Sequence, residues 1–124
     1  MKKNRSTLSE AYFRFLQLAK TFQADPSSAA MDANERALLE AVALRWFEES
    51  PMTVREAIAL EQLGSPATLH KRISRLRQKD LLVAFNQEGD RRAKYLIPSE
   101  KTLQMFAELG GNMHKVHQQV LSQV

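Results

Sequence analysis

Apolar residues recur at helical spacing through most of this chain and shift once to strand-like spacing, between Leu81 and Ile97. The first helical stretch, Thr7 to Gln23, carries Leu8, Tyr12, Phe15, Leu16, Ala19 and Phe22 on one broad stripe with Phe13 beside it. The composition of Ala24 to Met31 is that of a loop. Asp32 and Glu35 have capping-box spacing, so the pattern predicts a helix running to about Glu49, with Leu38, Leu39, Val42, Trp46 and Phe47 on its buried side. Ser50 and Pro51 end it. A second capping box, Thr53 with Glu56, opens a short helix predicted to reach Leu63, with Val54, Ala57, Ile58 and Leu63 facing inward.

The next helix has the clearest start. Gly64 suits the left-handed residue that closes the preceding helix, Ser65 is a favoured N-cap, and Pro66 falls at the first helical position, where its missing N–H costs nothing. Leu69, Ile73 and Leu76 form one apolar stripe, and Thr68, Lys71, Arg72, Arg75 and Lys79 are expected on the opposite side. Leu81 to Phe85 and Ala93 to Ile97 then read as two strands joined by a turn at Gln87 to Arg91. Ser99 can cap a further helix bearing Leu103, Phe106 and Ala107, which Gly110 and Gly111 are expected to break. After them Met113, Val116, Val120 and Val124 repeat every three or four residues, a narrow seam suited to one facing helix.

Two helices joined by a short turn, the second basic on its outer side, form a helix-turn-helix, in which the second helix enters the major groove of DNA. With the hairpin behind it, the expected fold is mainly α (α+β), a winged helix-turn-helix with a two-stranded wing and terminal helices for dimerisation. The 124 residues allow one compact domain. Its winged core spans 32–97, and 7–23 and 99–124 are the dimerisation elements. Tyr12, Phe15, Leu16, Met113, Val116 and Val120 are the residues expected to meet a second copy.

Charge sharpens this picture. The net charge is only +4, but it is segregated: Asp32 to Gln62 holds seven acidic residues against three basic, and Ser65 to Lys94 holds eight basic against three acidic. Such a patch suits a partner that carries phosphates. A solvated helix face would also account for a basic helix taken alone. The absence of cysteine excludes a disulfide framework, a thiolate metal site, a cysteine nucleophile and thiol-based redox sensing. Polar residues Arg14, Gln17 and Lys20 interrupt the run that would follow a signal peptide's basic start, and no stretch approaches the roughly 20 apolar residues of a membrane span. The expectation is a soluble, cytoplasmic protein with no membrane partner.

If the basic helix reads double-stranded DNA, Lys71 and Arg75, one turn apart, are the candidates for base-edge or phosphate contacts, with arginine able to offer paired donors to guanine. Ser65, Ala67 and Thr68 at the helix start would approach phosphates or a thymine methyl. Arg72 stays open between phosphate contact and lying over the Leu69 and Leu76 stripe. His114 and His117 are spaced to share a metal, but no Cys and no nearby Asp or Glu completes a ligand set, so no metal or other cofactor is expected. No catalytic motif is visible, and the expectation is not an enzyme.

Specific residues carry a likeness further. The run Ser65-Pro-Ala-Thr-Leu-His-Lys-Arg-Ile-Ser-Arg-Leu-Arg-Gln-Lys-Asp-Leu-Leu82, followed by Asp90-Arg91-Arg92 and Ser99-Glu100-Lys101, resembles the recognition helix, wing and following helix start of the MarR family of transcriptional regulators. The resemblance covers about residues 53 to 101. It departs at Asp80 and Thr102, where the family usually has glycine. It implies a homodimeric, sequence-specific regulator on an inverted-repeat operator, with a wing arginine in the minor groove, Arg92 ahead of Arg91, and Asp90 holding the wing. It also implies a small-molecule effector between the dimer helices and the DNA-binding part. Two rival readings are a winged-helix protein-interaction or assembly module, and a replication or partition DNA-binding protein of a mobile element.

Overall fold

The computed structural model describes residues 7–23, 31–89 and 91–122, with residues 21–23 described by their backbone alone. The side chain of Phe22, residues 24–30 of the loop expected over Ala24 to Met31, Asp90 and Val124 lie outside the described residues. In chain order the elements are α1 (Thr7–Gln23), α2 (Ala33–Phe47), α3 (Val54–Ile58), a 3-10 turn (Glu61–Leu63), α4 (Pro66–Gln78), β1 (Leu82–Asn86), β2 (Lys94–Pro98) and α5 (Glu100–Leu121). They divide into two compact units, one of Met31–Leu103 and one of Met1–Ala30 with Gln104–Val124.

The Met31–Leu103 unit is built on an apolar centre. Leu38, Leu39, Val42 and Ala43 of α2 are buried, as are Met52, Ala57 of α3, Leu69, Ile73 and Leu76 of α4, and Leu81, Leu82 and Leu96 of the hairpin. Each fully buried leucine contributes about 1.5–3 kcal/mol relative to an exposed one. The two strands are antiparallel, Leu82 opposite Pro98 and Phe85 opposite Tyr95. Their base is tied to the segment before α3, because Thr53 forms a bridge with Tyr95 and the Leu96 N–H donates to the Met52 carbonyl at 2.8 Å.

Asp32 caps α2 as expected, accepting from the Glu35 N–H at 2.7 Å. That bond, the largest cause, holds the Asp32 carboxyl below its usual range. The reciprocal half of the box is not made. The nearly buried Glu35 carboxylate instead accepts from Lys79 Nζ at 2.7 Å, across to the end of α4.

α2 also ends earlier than its pattern suggests. Glu49 adopts a left-handed φ of 63°, and the Ser50 and Glu49 N–H groups close a Schellman motif on Arg45 and Trp46. Trp46 and Phe47 are therefore not core residues: they are 37% and 76% exposed. Phe47 lies about 140° around the helix from Val42, and Trp46 occupies the last turn, at the margin of the apolar cover. The helix expected through Leu63 is likewise interrupted, because Leu60 leaves helical geometry at ψ 80° and the chain resumes as the 3-10 turn.

The junction after α4 holds the unit together. Asp80 is left-handed at φ 59°, and Leu81 and Asp80 donate back to Leu76 and Arg77, a Schellman motif that asks for glycine or a short polar residue at this position. Side chains of the next segment reach the carbonyls of this junction. Ser99 Oγ donates to Asp80 at 2.7 Å, Thr102 Oγ1 donates to Leu81 at 2.6 Å, and Lys101 Nζ donates to Lys79 at 3.2 Å. Ser99 Oγ also accepts from the Thr102 N–H at 3.1 Å, which caps α5 as its sequence suggests.

In the other unit, α1 turns Ala11, Phe15, Leu18 and Ala19 partly inward, whereas Leu8 and Tyr12 are 81% and 61% exposed. Val116 and Val120 are buried within the chain and Met113 is exposed. The break expected at Gly110 and Gly111 does not occur, since α5 runs unbroken through both. Glycine tolerates helical geometry at a cost of about 1 kcal/mol, and a cost of that size is met by anchored apolar residues on either side, Met105 and Val116.

Two outcomes follow. A Cβ at Gly110 or Gly111 would meet nothing within 4 Å, so Gly110→Ala and Gly111→Ala should each raise unfolding stability by roughly 0.5–1 kcal/mol in urea titrations. An unchanged or lowered midpoint would contradict the continuous helix. Lys79→Met should cost on the order of 3 kcal/mol by stranding Glu35, and Glu35→Leu in the same chain should restore most of it.

Candidate nucleic-acid interface

The orientation of α4 decides which charges it offers. Thr53 and Glu56 make the full capping box at the start of α3, with the Glu56 N–H on Thr53 Oγ1 at 3.1 Å and the Thr53 N–H on Glu56 Oε1 at 3.2 Å. The Thr53 N–H, the largest cause, keeps the Glu56 carboxyl below its usual range. Arg45 braces this corner, donating to the Ser50 carbonyl at 2.8 Å and reaching Glu56 at 3.5 Å.

The turn then passes through Gly64, whose φ of 148° and ψ of 179° are not the left-handed geometry expected but an extended form essentially reserved for glycine. A Cβ there would stand 3.1 Å from the Arg72 guanidinium. Ser65 caps α4, accepting from the Thr68 N–H at 3.3 Å. With Leu69, Ile73 and Leu76 buried, the rotation of α4 is set.

One flank of α4 turns its cations inward. Arg72 donates to the Leu63 carbonyl at 2.6 Å, and its charge is among those lowering Asp32. Lys79 is held by Glu35. The outer crest carries exposed Ala67, Lys71 and Arg75. On the other flank His70 and Arg77 fall about 20° apart around the axis and face the wing.

The wing is a hairpin braced by Asn86, whose side-chain amide donates to the carbonyls of Arg91 at 3.1 Å and Ala93 at 2.9 Å. Phe85 and Tyr95 stack across the strands at 5.8 Å. Between α4, the start of α3 and the wing lies an open cleft of about 670 Å³, lined by Thr53, Val54, Arg55, His70, Arg77, Arg91, Arg92, Ala93 and Lys94. Among these described residues five are permanently cationic and none is a carboxylate.

No protein-family model matches the sequence, and no curated protein matches it. Solved structures do. A MarR-like transcriptional regulator from Thermotoga maritima superposes with a TM-score of 0.65 at 21% identity, over 98% of this chain and 84% of its own. A second transcriptional regulator from the same organism gives 0.60 at 16% identity, over 91% and 71%. A mutant of Staphylococcus aureus MepR bound to an oligodeoxyribonucleotide gives 0.59 at 15% identity, over 91% and 81%. The fold is MarR-like.

Within this MarR-like fold the residues expected from sequence separate. Ser65, Ala67, Lys71 and Arg75 are exposed along α4, Thr68 is half-buried beside the cap, and Arg91 and Arg92 stand exposed on the cleft. Arg72 and Lys79 do not share the outer face with them. Tyr12, Leu16 and Met113 are exposed, Phe15 is half-buried, and Val116 and Val120 are already inside the chain. Arg55, His70, Arg77 and Lys94 were not foreseen as site residues. A helical projection centred on Leu69, Ile73 and Leu76 would have separated His70 and Arg77 from the crest, but their meeting with the wing and with Arg55 is tertiary. No His/Asp/Glu group that could hold a metal occurs among the described residues. No helix among them is long and apolar enough to cross a membrane.

Arg72→Met should therefore lower stability by about 1.5–3 kcal/mol, the range for a hydrogen bond made by a charged group. Unaltered urea unfolding would contradict a holding role for Arg72.

Proposed function

We propose that this chain is a sequence-specific double-stranded DNA-binding transcriptional regulator. α4 enters the major groove, with Lys71 and Arg75 reaching base edges and Ser65, Ala67 and Thr68 near the backbone at the helix start. The wing reaches the adjacent minor groove, whose negative potential attracts Arg92 and Arg91. The observation that carries this reading is the pairing of exposed cations on the crest of α4 with the cationic wing cleft beside it, in a fold shared with MepR, a transcription regulator of which a mutant is solved bound to an oligodeoxyribonucleotide. A homodimer would place two such helices about 34 Å apart on an inverted repeat. Exposed Tyr12, Leu16 and Met113 are the residues on hand for that contact, and Val116 and Val120 support it from inside. A small-molecule effector enters this reading through the resemblance alone.

Selection of bound sequences from a random duplex pool, followed by affinity against salt, tests the proposal. A recovered inverted repeat, bound well above scrambled DNA and with steep salt dependence, is the expected result. Arg75→Ala should cost about 1–3 kcal/mol on the selected site and relax preference at one base position. No enrichment, with only nonspecific duplex affinity, would favour the assembly-module reading.

A further inference from the structure

We infer that the cleft between α4 and the wing is the seat of one sugar-phosphate strand, and that Arg55, Arg77 and Lys94, with His70 beside them, hold its phosphates. The inference rests on the DNA-binding reading and divides the labour within it. When a helix occupies the major groove and a hairpin tip the neighbouring minor groove, the strand that separates the two grooves must pass between helix and hairpin. In this fold that space is the cleft of about 670 Å³.

Its chemistry fits a polyanion. Arg55 comes from α3, His70 and Arg77 from α4, and Arg91, Arg92 and Lys94 from the wing, so three separate elements deliver cations or N–H donors to one concavity. All six are exposed, and no described lining residue is acidic. On the opposite flank of α4, Arg72 is engaged by the Leu63 carbonyl and Lys79 by Glu35. Phosphate contacts of this kind position the duplex and carry no sequence information, whereas Lys71 and Arg75 on the crest face the bases.

The two roles differ in salt dependence. Each phosphate neutralised by a cation contributes about 0.9 to the slope of log affinity against log salt on duplex DNA. The test uses the full chain and a random-sequence duplex, on which only backbone contacts count, between 50 and 200 mM salt. Arg55→Gln, Arg77→Gln and Lys94→Gln should each flatten the slope by about 0.9, with the triple variant flatter by about 2.7. On a selected site these variants should weaken binding without changing the preferred sequence. Lys115→Gln, an exposed cation on α5, should leave the slope unchanged, and circular dichroism would show that the variants are folded.

A triple variant with the wild-type slope, or an altered base preference, would overturn the assignment alone. So would wild-type cleft affinity for inorganic pyrophosphate coupled with an unchanged duplex slope, which would make the cleft a free-anion site. Failure of the wild-type chain to bind any duplex at low salt would overturn the DNA-binding reading and the assignment with it.

Discussion

Burial of Leu69, Ile73 and Leu76 is the constraint from which the rest of the site follows. Three apolar side chains on one side of α4 fix its rotation, and a helix whose rotation is fixed has no freedom over where its remaining side chains point. The two flanks bordering that buried face then meet different surroundings. One meets the N-terminal end of α2 and the turn at Leu63, where a carboxylate and a carbonyl wait, and its Arg72 and Lys79 are consumed in holding the helix. The other borders the cleft toward the wing, whose described lining holds cations and neutral side chains but no carboxylate, and its His70 and Arg77 face into that cleft. A helix that reads as uniformly basic is thus divided into a structural flank, an exposed crest and a cleft wall.

The far end of α4 is fixed with comparable economy. Beyond the end of the helix the backbone carbonyls of Lys79 and Asp80 accept from Lys101 Nζ and Ser99 Oγ, and the Leu81 carbonyl accepts from both the Ser99 N–H and Thr102 Oγ1. The two positions at which the sequence departs from the MarR pattern, Asp80 and Thr102, both belong to this junction. Asp80 is left-handed, which explains why glycine is the usual occupant and why a short polar residue can stand in. Thr102 uses its hydroxyl where glycine would have none, so here the departure adds a buried hydrogen bond to the link between α4, β1 and α5.

Much of this was legible in the sequence because it depends on local physics. Capping residues placed the starts of α2, α3, α4 and α5, and the change from helical to alternating spacing placed the hairpin. What failed was also local in appearance but tertiary in cause. Gly110 and Gly111 looked like a break and lie within α5, since anchoring on both sides overrides a weak propensity. Trp46 and Phe47 looked like core because they are large and apolar, yet a Schellman turn at Glu49 ends the helix where its core cover runs out. Glu35 had the spacing of a capping partner, and only the arrival of Lys79 from 44 residues away redirected it. The cleft was invisible for the same reason: its cations are scattered from Arg55 to Lys94 and converge only when the wing folds against α4.

The central claim is that the crest of α4 and the cleft beside it form one DNA-facing surface. Amide chemical-shift mapping of the isotope-labelled chain, titrated with a duplex recovered by selection, tests this most directly. Perturbations concentrated at Ala67, His70, Lys71, Arg75 and Arg77, and at Arg91 to Lys94, with Arg36 to Leu44 of α2 unmoved, are the result expected. Perturbations confined to exposed residues of α1 or α2, with α4 and the wing silent, would contradict it.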